Sequence, residues 1–126
     1  MKHKKRILIA DDEVTLLQTM AFTLKRKGFE TVIVNNGNTA INKIKETYSN
    51  NESYDLIITD IQMPGMSGLQ LIEKINALDI TVPILAISGY GNMSLVVDLM
   101  RAGCKDYLDK PFSMQEFINH ITELLK

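Results

Sequence analysis

At 126 residues, 45% of them hydrophobic and 23% charged, the chain has the length of one ordinary domain and enough apolar matter for a single core. Its formal net charge of −1 argues against a general grip on nucleic acid through phosphate neutralisation, and the basic cluster Lys2, Lys4, Lys5 and Arg6 reads as a solvated lead-in to the first strand. The single cysteine, Cys104, excludes an internal disulfide; apolar runs such as ILIA and VPILAI are too short to span a bilayer, and with no signal peptide at the start a cytoplasmic location is expected.

Strands and helices alternate along the chain. The run RILIA (6–10) is almost continuously apolar, as a parallel strand covered on both faces should be. Val14, Leu17, Ala21 and Leu24 then recur at helical spacing, and Gly28 is placed to stop that helix. TVIV (31–34) alternates more and is expected near a sheet edge. A second helix is expected over 39–48 with Ile41 and Ile44 inward, followed by the polar loop SNNES, which reads as a surface insertion. LIIT (56–59) is a second buried strand, and Ser67 and Gln70 have capping-box spacing ahead of Leu71, Ile72 and Ile75. VPILAI (82–87) is a third such strand. Leu95, Val96, Leu99 and Met100 form the expected inner stripe of a fourth helix, ended by Gly103. A short strand at 106–108 is inferred from context, and Ser113 with Glu116 opens a last helix through Phe117, Ile118, Ile121 and Leu125.

Five strand–helix units fill the chain without a repeat or linker, so a single domain over 1–126 is expected, of the α/β class, with an open parallel sheet and helices on both faces. In such folds ligands sit beyond the carboxyl ends of the strands. The residues found there are ionisable: ADDE after the first strand, TD after the third, ISG after the fourth and DKP after the fifth. Asp11, Asp12 and Asp60 on one edge would repel one another and raise one another's pKa unless a cation intervened. Oxygen ligands favour a hard divalent ion, and Mg²⁺ keeps waters for an incoming phosphate; no His or Cys is placed to make a zinc site. An aspartate attacking a phosphoryl group needs a metal, a fixed cation and hydrogen-bond donors, and Lys110 and Ser88 supply the last two.

The motifs ILIADDE, DLIITDIQMPGMSG, VPILAISGYG and RAGCKDYLDKPF, in that order and spacing, resemble the receiver domain of response regulators in two-component signalling, over most of the chain from Arg6 onward. The resemblance implies a doubly wound, flavodoxin-like five-stranded sheet of order 2-1-3-4-5. It also implies that Asp60 is the phosphoacceptor, served by a sensor histidine kinase or a histidine phosphotransfer protein. Asp11 and Asp12 would organise Mg²⁺, Asp12 directly and Asp11 through water, with the main-chain carbonyl of Gln62 as a further ligand. Ser88 would be the switch hydroxyl, Tyr107 the switch aromatic and Lys110 the phosphate-binding lysine, with Lys110–Pro111 a candidate cis bond. Output would pass to a partner protein or effector domain through the face of the fourth helix, fifth strand and fifth helix, where Val97 and Met114 are candidate apolar contacts. The protein would act as a monomer or as a dimer formed on phosphorylation, standing alone or within a longer chain, without itself binding nucleic acid or membrane.

Some features depart from the family pattern. Ser88 stands where threonine is commoner and Gly89 where alanine is frequent, and Gln62 and Tyr90 occupy the positions two residues after Asp60 and Ser88 that tune water access in the family. Each residue also has a plainer reading: Asp11 as an N-cap, Asp60 as a turn residue, Lys110 as a solvated lysine, Tyr107 as packing against the last helix. Asp55, Asp79, Asp98, Asp106 and Asp109 are expected to be solvated, as is His120; neither His120 nor His3 is placed as a phosphodonor. Two rival functions stand beside the receiver. A haloacid-dehalogenase-like phosphatase would use an aspartate nucleophile but usually carries a second acid two residues on, where this chain has Gln62. A degenerate, docking-only receiver would not need the acids, Ser88 and Lys110 together.

Overall fold

The computed structural model describes residues 4–89 and 91–126. Five parallel strands, β1 (Arg6–Ala10), β2 (Glu30–Val34), β3 (Leu56–Asp60), β4 (Ile84–Ser88) and β5 (Asp106–Asp109), form one sheet in the order β2-β1-β3-β4-β5. The helices α1 (Val14–Arg26), α2 (Gly37–Ser49), α3 (Gly68–Ala77), α4 (Met93–Ala102) and α5 (Met114–Leu124) connect them. The alternating, less apolar β2 is an edge strand, as its pattern suggested, and Ile33 there is exposed.

The continuous apolar runs are explained by two cores, one on each side of the sheet. Successive side chains of a strand point to opposite faces. Ile7, Ile9, Ile58, Leu85 and Ile87 therefore pack with Leu17, Leu24, Phe117 and Ile121 of α1 and α5. Leu8, Ala10, Ile57, Ile84 and Ala86 pack with Ile44 of α2, Leu71 and Ile75 of α3, and Leu99 of α4 on the other face. Cys104 is buried in this second core.

Local differences from the sequence expectation have simple causes. β4 starts at Ile84 and not at 82, because Pro83 has no N–H to donate; its carbonyl still accepts from the Ile57 N–H at 3.0 Å. α2 starts two residues early because Asn36 caps it, accepting from the Thr39 N–H at 2.8 Å. Both expected capping boxes are present, Ser67 with Gln70 and Ser113 with Glu116. Val14 lies outside the core at 55% exposure, and in α4 only Leu99 is buried while Met100 faces out. Consequently α4 is the helix least tied to the sheet. Its C-terminal end is held by the Asn76 amide of α3 on the Ala102 carbonyl.

The segment after β3 is pinned where α3 begins. The Gly68 N–H donates to the Ile61 carbonyl at 3.0 Å, and a methyl group at Gly68 would lie 2.3 Å from the Asp60 carbonyl oxygen and 2.7 Å from Ile61 Cα. Backbone cannot yield there as a flexible side-chain tip can. We expect Gly68→Ala to destabilise the protein by about 1–3 kcal/mol, measured as a lower urea midpoint at unchanged m-value.

Candidate functional site

Asp11, Asp12 and Asp60 meet at the carboxyl end of the sheet, each offering a carboxylate oxygen within 4.8 Å of the others'. The register makes this unavoidable: β1 and β3 are neighbours, with Ala10 opposite Thr59, so the acids that follow both strands emerge side by side. Asp11 is fully buried and Asp60 nearly so, at 3% exposure, while Asp12 is exposed. The ligand atoms are all hard oxygens, which suits Mg²⁺ over zinc. Asp11 Oδ2 is buried and makes no well-formed hydrogen bond, with only the Lys110 ammonium near it at 3.3 Å, so its negative charge is under-satisfied. Both observations fit a divalent ion held by these carboxylates.

Lys110 closes the site from the far side of β4. Its Nζ donates to Asp60 Oδ2 at 3.1 Å and lies 3.3 Å from Asp11 Oδ2 and 3.5 Å from Glu13 Oε2. The Lys110 N–H donates to the Ser88 carbonyl at 2.9 Å, which ties the lysine backbone to the end of β4. The Lys110–Pro111 bond is cis. Burial pushes the ammonium pKa down, but the hydrogen bond to Asp60 and the charges of Asp11, Asp60 and Glu13 outweigh it, and the net shift is upward. Asp11 has the opposite problem. Burial first, and then the neighbouring Asp60 charge, raise its pKa to about 6, against the lowering effects of the Glu13 N–H on Oδ1 (2.8 Å) and of Lys110.

Ser88 is fully buried at the end of β4 and donates to Gln62 Oε1 at 2.8 Å, while the Gln62 N–H donates to Asp60 Oδ1 at 3.3 Å. Tyr107, half-buried on β5, donates its hydroxyl to Asp109 Oδ1 at 2.6 Å. Gly91 makes room for this, since any Cβ there would fall on the tyrosine hydroxyl. Burial and the Asp109 carboxylate push the phenol up to about 12, with the Ser88 hydroxyl pulling the other way. A cleft of about 630 Å³ opens over the cluster, bordered by Asp12, Glu13, Asp60, Gln62, Lys110 and Phe112.

All the sequence candidates with described side chains thus converge except Tyr107, which stands one strand further out, next to Ser88. Tyr90 lies outside the described residues, as do Lys2 and His3. Asp11 is not the helix cap: Glu13 holds that position, without a side-chain cap bond. Three acids expected to be solvated have partners. Asp55 Oδ2 accepts from the Arg6 N–H at 2.7 Å, Asp106 Oδ2 lies 2.6 Å from Nδ1 of a half-buried His120, and Asp109 receives Tyr107. Arg6 itself pairs with Glu30 and Glu52 and is not merely a solvated lead-in. The sequence assigns Glu13 no role, and it gives Gln62 a main-chain carbonyl and a tuning position but no side-chain contact with Ser88. Glu13 was legible as a third acid in ADDE, but nothing local marks a contact between residues 62 and 88.

Two measurements test this electrostatic picture. Because the folded-state pKa of Asp11 lies above its ordinary 3.8, the fold prefers the neutral acid, and ionising it costs stability as pH rises from about 4 to about 6. Asp11→Asn, which keeps the Oδ1 acceptor, should therefore stabilise the metal-free protein at pH 7 by on the order of 2 kcal/mol. That gain should vanish by pH 4, as read from urea unfolding at both pH values. Ultraviolet titration of the phenols should show Tyr107 ionising near pH 12 and Asp109→Asn bringing it back toward 10.

Known proteins place this geometry. The family model for the response regulator receiver domain matches residues 7–122. The chemotaxis protein CheY of Bacillus subtilis (strain 168) is 36% identical over 121 residues, covering 95% of this chain and 97% of that protein. An uncharacterized transcriptional regulatory protein of the same organism, YesN, is 33% identical over 95% of this chain, which spans only 32% of its length. Among solved structures, a CheY-like response regulator receiver domain protein from Methanospirillum hungatei JF-1 superposes with a TM-score of 0.89 at 30% identity, covering 98% of this chain and 94% of that one. With the same five-stranded order and a carboxylate cluster at the same sheet edge as its own sequence motifs demand, this chain belongs to the response regulator receiver domain family.

Proposed function

We propose that the 126 residues form one receiver domain that takes a phosphoryl group from a phosphohistidine, on a sensor histidine kinase or a histidine phosphotransfer protein, onto Asp60. The observation that carries this reading is the Lys110 ammonium lying between Asp60, at 3.1 Å, and Asp11, at 3.3 Å, at the floor of an open cleft. A structural lysine has no need of two buried carboxylates, whereas phosphoryl transfer needs a fixed cation beside its nucleophile.

In the step itself, an Asp60 carboxylate oxygen forms a bond to phosphorus as the phosphorus–nitrogen bond of the donor breaks. The electron pair returns to the ring nitrogen, and because the other ring nitrogen already carries a proton the leaving group departs as neutral imidazole. Asp11, Asp12, Asp60 and the main-chain carbonyl of Gln62 would hold Mg²⁺, which when bound neutralises charge on the phosphoryl oxygens. Lys110 pairs with one such oxygen, exchanging its carboxylate partners for the phosphoryl group. The Ser88 hydroxyl donates to another. The added charge, about −1 or more, then biases the loop after β4, and Tyr107 rotates behind Ser88.

The face of α4, β5 and α5 carries the output to an effector, with Val97 and Met100 exposed on α4. The weak tethering of α4 supports this, because a helix with one buried residue moves at little cost in packing. The module catalyses only its own phosphorylation and dephosphorylation. It works in the cytoplasm, without itself binding nucleic acid, as a monomer or a phosphorylation-dependent dimer. No described helix is long and apolar enough to cross a membrane.

Incubation with Mg²⁺ and a small acyl-phosphate donor should give stoichiometric, acid-stable and base-labile phosphoryl label. Asp60→Asn should reduce the label at least tenfold, and removing Mg²⁺ should do the same. Multiple turnover of a free phosphomonoester would instead establish the phosphatase, and an unlabelled protein the docking module.

A further inference from the structure

Glu13 does little for the fold. It holds the N-cap position of α1, yet its side chain makes no cap bond. It is not one of the carboxylates whose oxygens meet within 4.8 Å at the candidate ion site, which are Asp11, Asp12 and Asp60. Its contact with Lys110, 3.5 Å from Oε2 to Nζ, is longer than those of Asp60 and Asp11 with the same ammonium, and with the Glu13 side chain 63% exposed such a pair adds little stability. The residue is nevertheless held in place. Its N–H donates to Asp11 Oδ1 at 2.8 Å, and it borders the cleft together with Asp60 and Lys110.

Formal charge gives that position a consequence. A bound divalent ion and Lys110 together would just neutralise Asp11, Asp12 and Asp60, so Glu13 alone leaves the loaded site negative. We infer that Glu13 is a specificity-determining residue of phosphoryl transfer: its carboxylate disfavours donors with an anionic leaving group and so favours phosphohistidine over small acyl phosphates. This deepens the phosphoacceptor reading and rests on it. An acyl phosphate enters the cleft as a dianion. As an Asp60 oxygen bonds to its phosphorus and the phosphorus–oxygen bond to the acyl group breaks, the electron pair departs on a carboxylate. The Glu13 charge opposes both the approach and the departure. A phosphoimidazole protonated on its other nitrogen carries one negative charge fewer, and its leaving group departs neutral. At a solvent-exposed rim one unit charge is felt over several ångströms, and salt shortens that reach.

Phosphorylation rates of the full chain at saturating Mg²⁺, measured with acetyl phosphate and with monophosphoimidazole as donors, test this. Glu13→Gln keeps the size of the side chain and removes its charge. It should raise the rate constant for acetyl phosphate relative to that for monophosphoimidazole roughly three- to tenfold, the worth of one unit charge at such a rim. Glu13→Lys should move the ratio further in the same direction. In the parent the ratio should rise as KCl is raised from about 0.05 M to about 1 M, and in Glu13→Gln it should stay closer to flat. An equal change with both donors, or a ratio that does not move, would overturn the inference while leaving Asp60 the acceptor. Should neither donor label the parent protein, the phosphoacceptor reading falls and this inference with it.

Discussion

Three carboxylates crowded at one edge of a parallel sheet, two of them almost wholly buried, dominate the energetics of this protein. Buried negative charge is costly unless opposed, and the only opposing ammonium among the described residues at this edge is Lys110. One positive charge cannot satisfy Asp11, Asp12, Glu13 and Asp60 together, and burial first, with the Asp60 charge adding to it, raises the pKa of Asp11. The site is poised for further positive charge, and for an anion that would come with it. Phosphoryl chemistry with a divalent ion answers both needs.

The fold supports that tension by putting the charges on its stiffest parts. β1, β3 and β4 are the inner strands, buried on both faces between two hydrophobic clusters, and the carboxylates Asp11, Asp12 and Asp60 stand at the last position of β3 or immediately beyond β1. The strands thus hold geometry that repulsion would otherwise spread. The cost surfaces locally in α1, which alone begins without a side-chain cap: the acids in its lead-in face the cleft, while Asn36, Ser67, Asn92 and Ser113 cap the other four helices. Rigidity also falls away from the site in one direction. α4 has a single buried side chain and exposes Met93, Val97 and Met100, so the element beyond the β4 loop is the one that can shift without opening a core.

Ser88 links these regions. It lies between Gln62, which touches Asp60, and Tyr107, whose hydroxyl rests on Asp109 in the gap left by Gly91. Charge at Asp60 and the position of a half-buried ring on β5 are therefore joined through one hydroxyl. Hydrogen bonds have discrete donors and acceptors, so such a chain rearranges between alternatives and does not deform continuously.

The architecture and most of the site were readable in the linear chain because they rest on local patterns. Continuous apolar runs denote strands with two covered faces, capping spacings mark helix starts, and acids directly after buried strands must surface on the same sheet edge. Those rules bring Asp11, Asp12, Asp60, Ser88 and Lys110 together before any coordinate is known. Contacts between side chains distant in sequence left no such trace. That Gln62 reaches Ser88, that Glu13 shares Lys110, that Asp109 holds Tyr107 beside Gly91 and that His120 meets Asp106 were decided by tertiary packing alone. Side-chain partners depend on rotamers and on the distances between separate loops, and neither quantity is encoded in the periodicity of a chain.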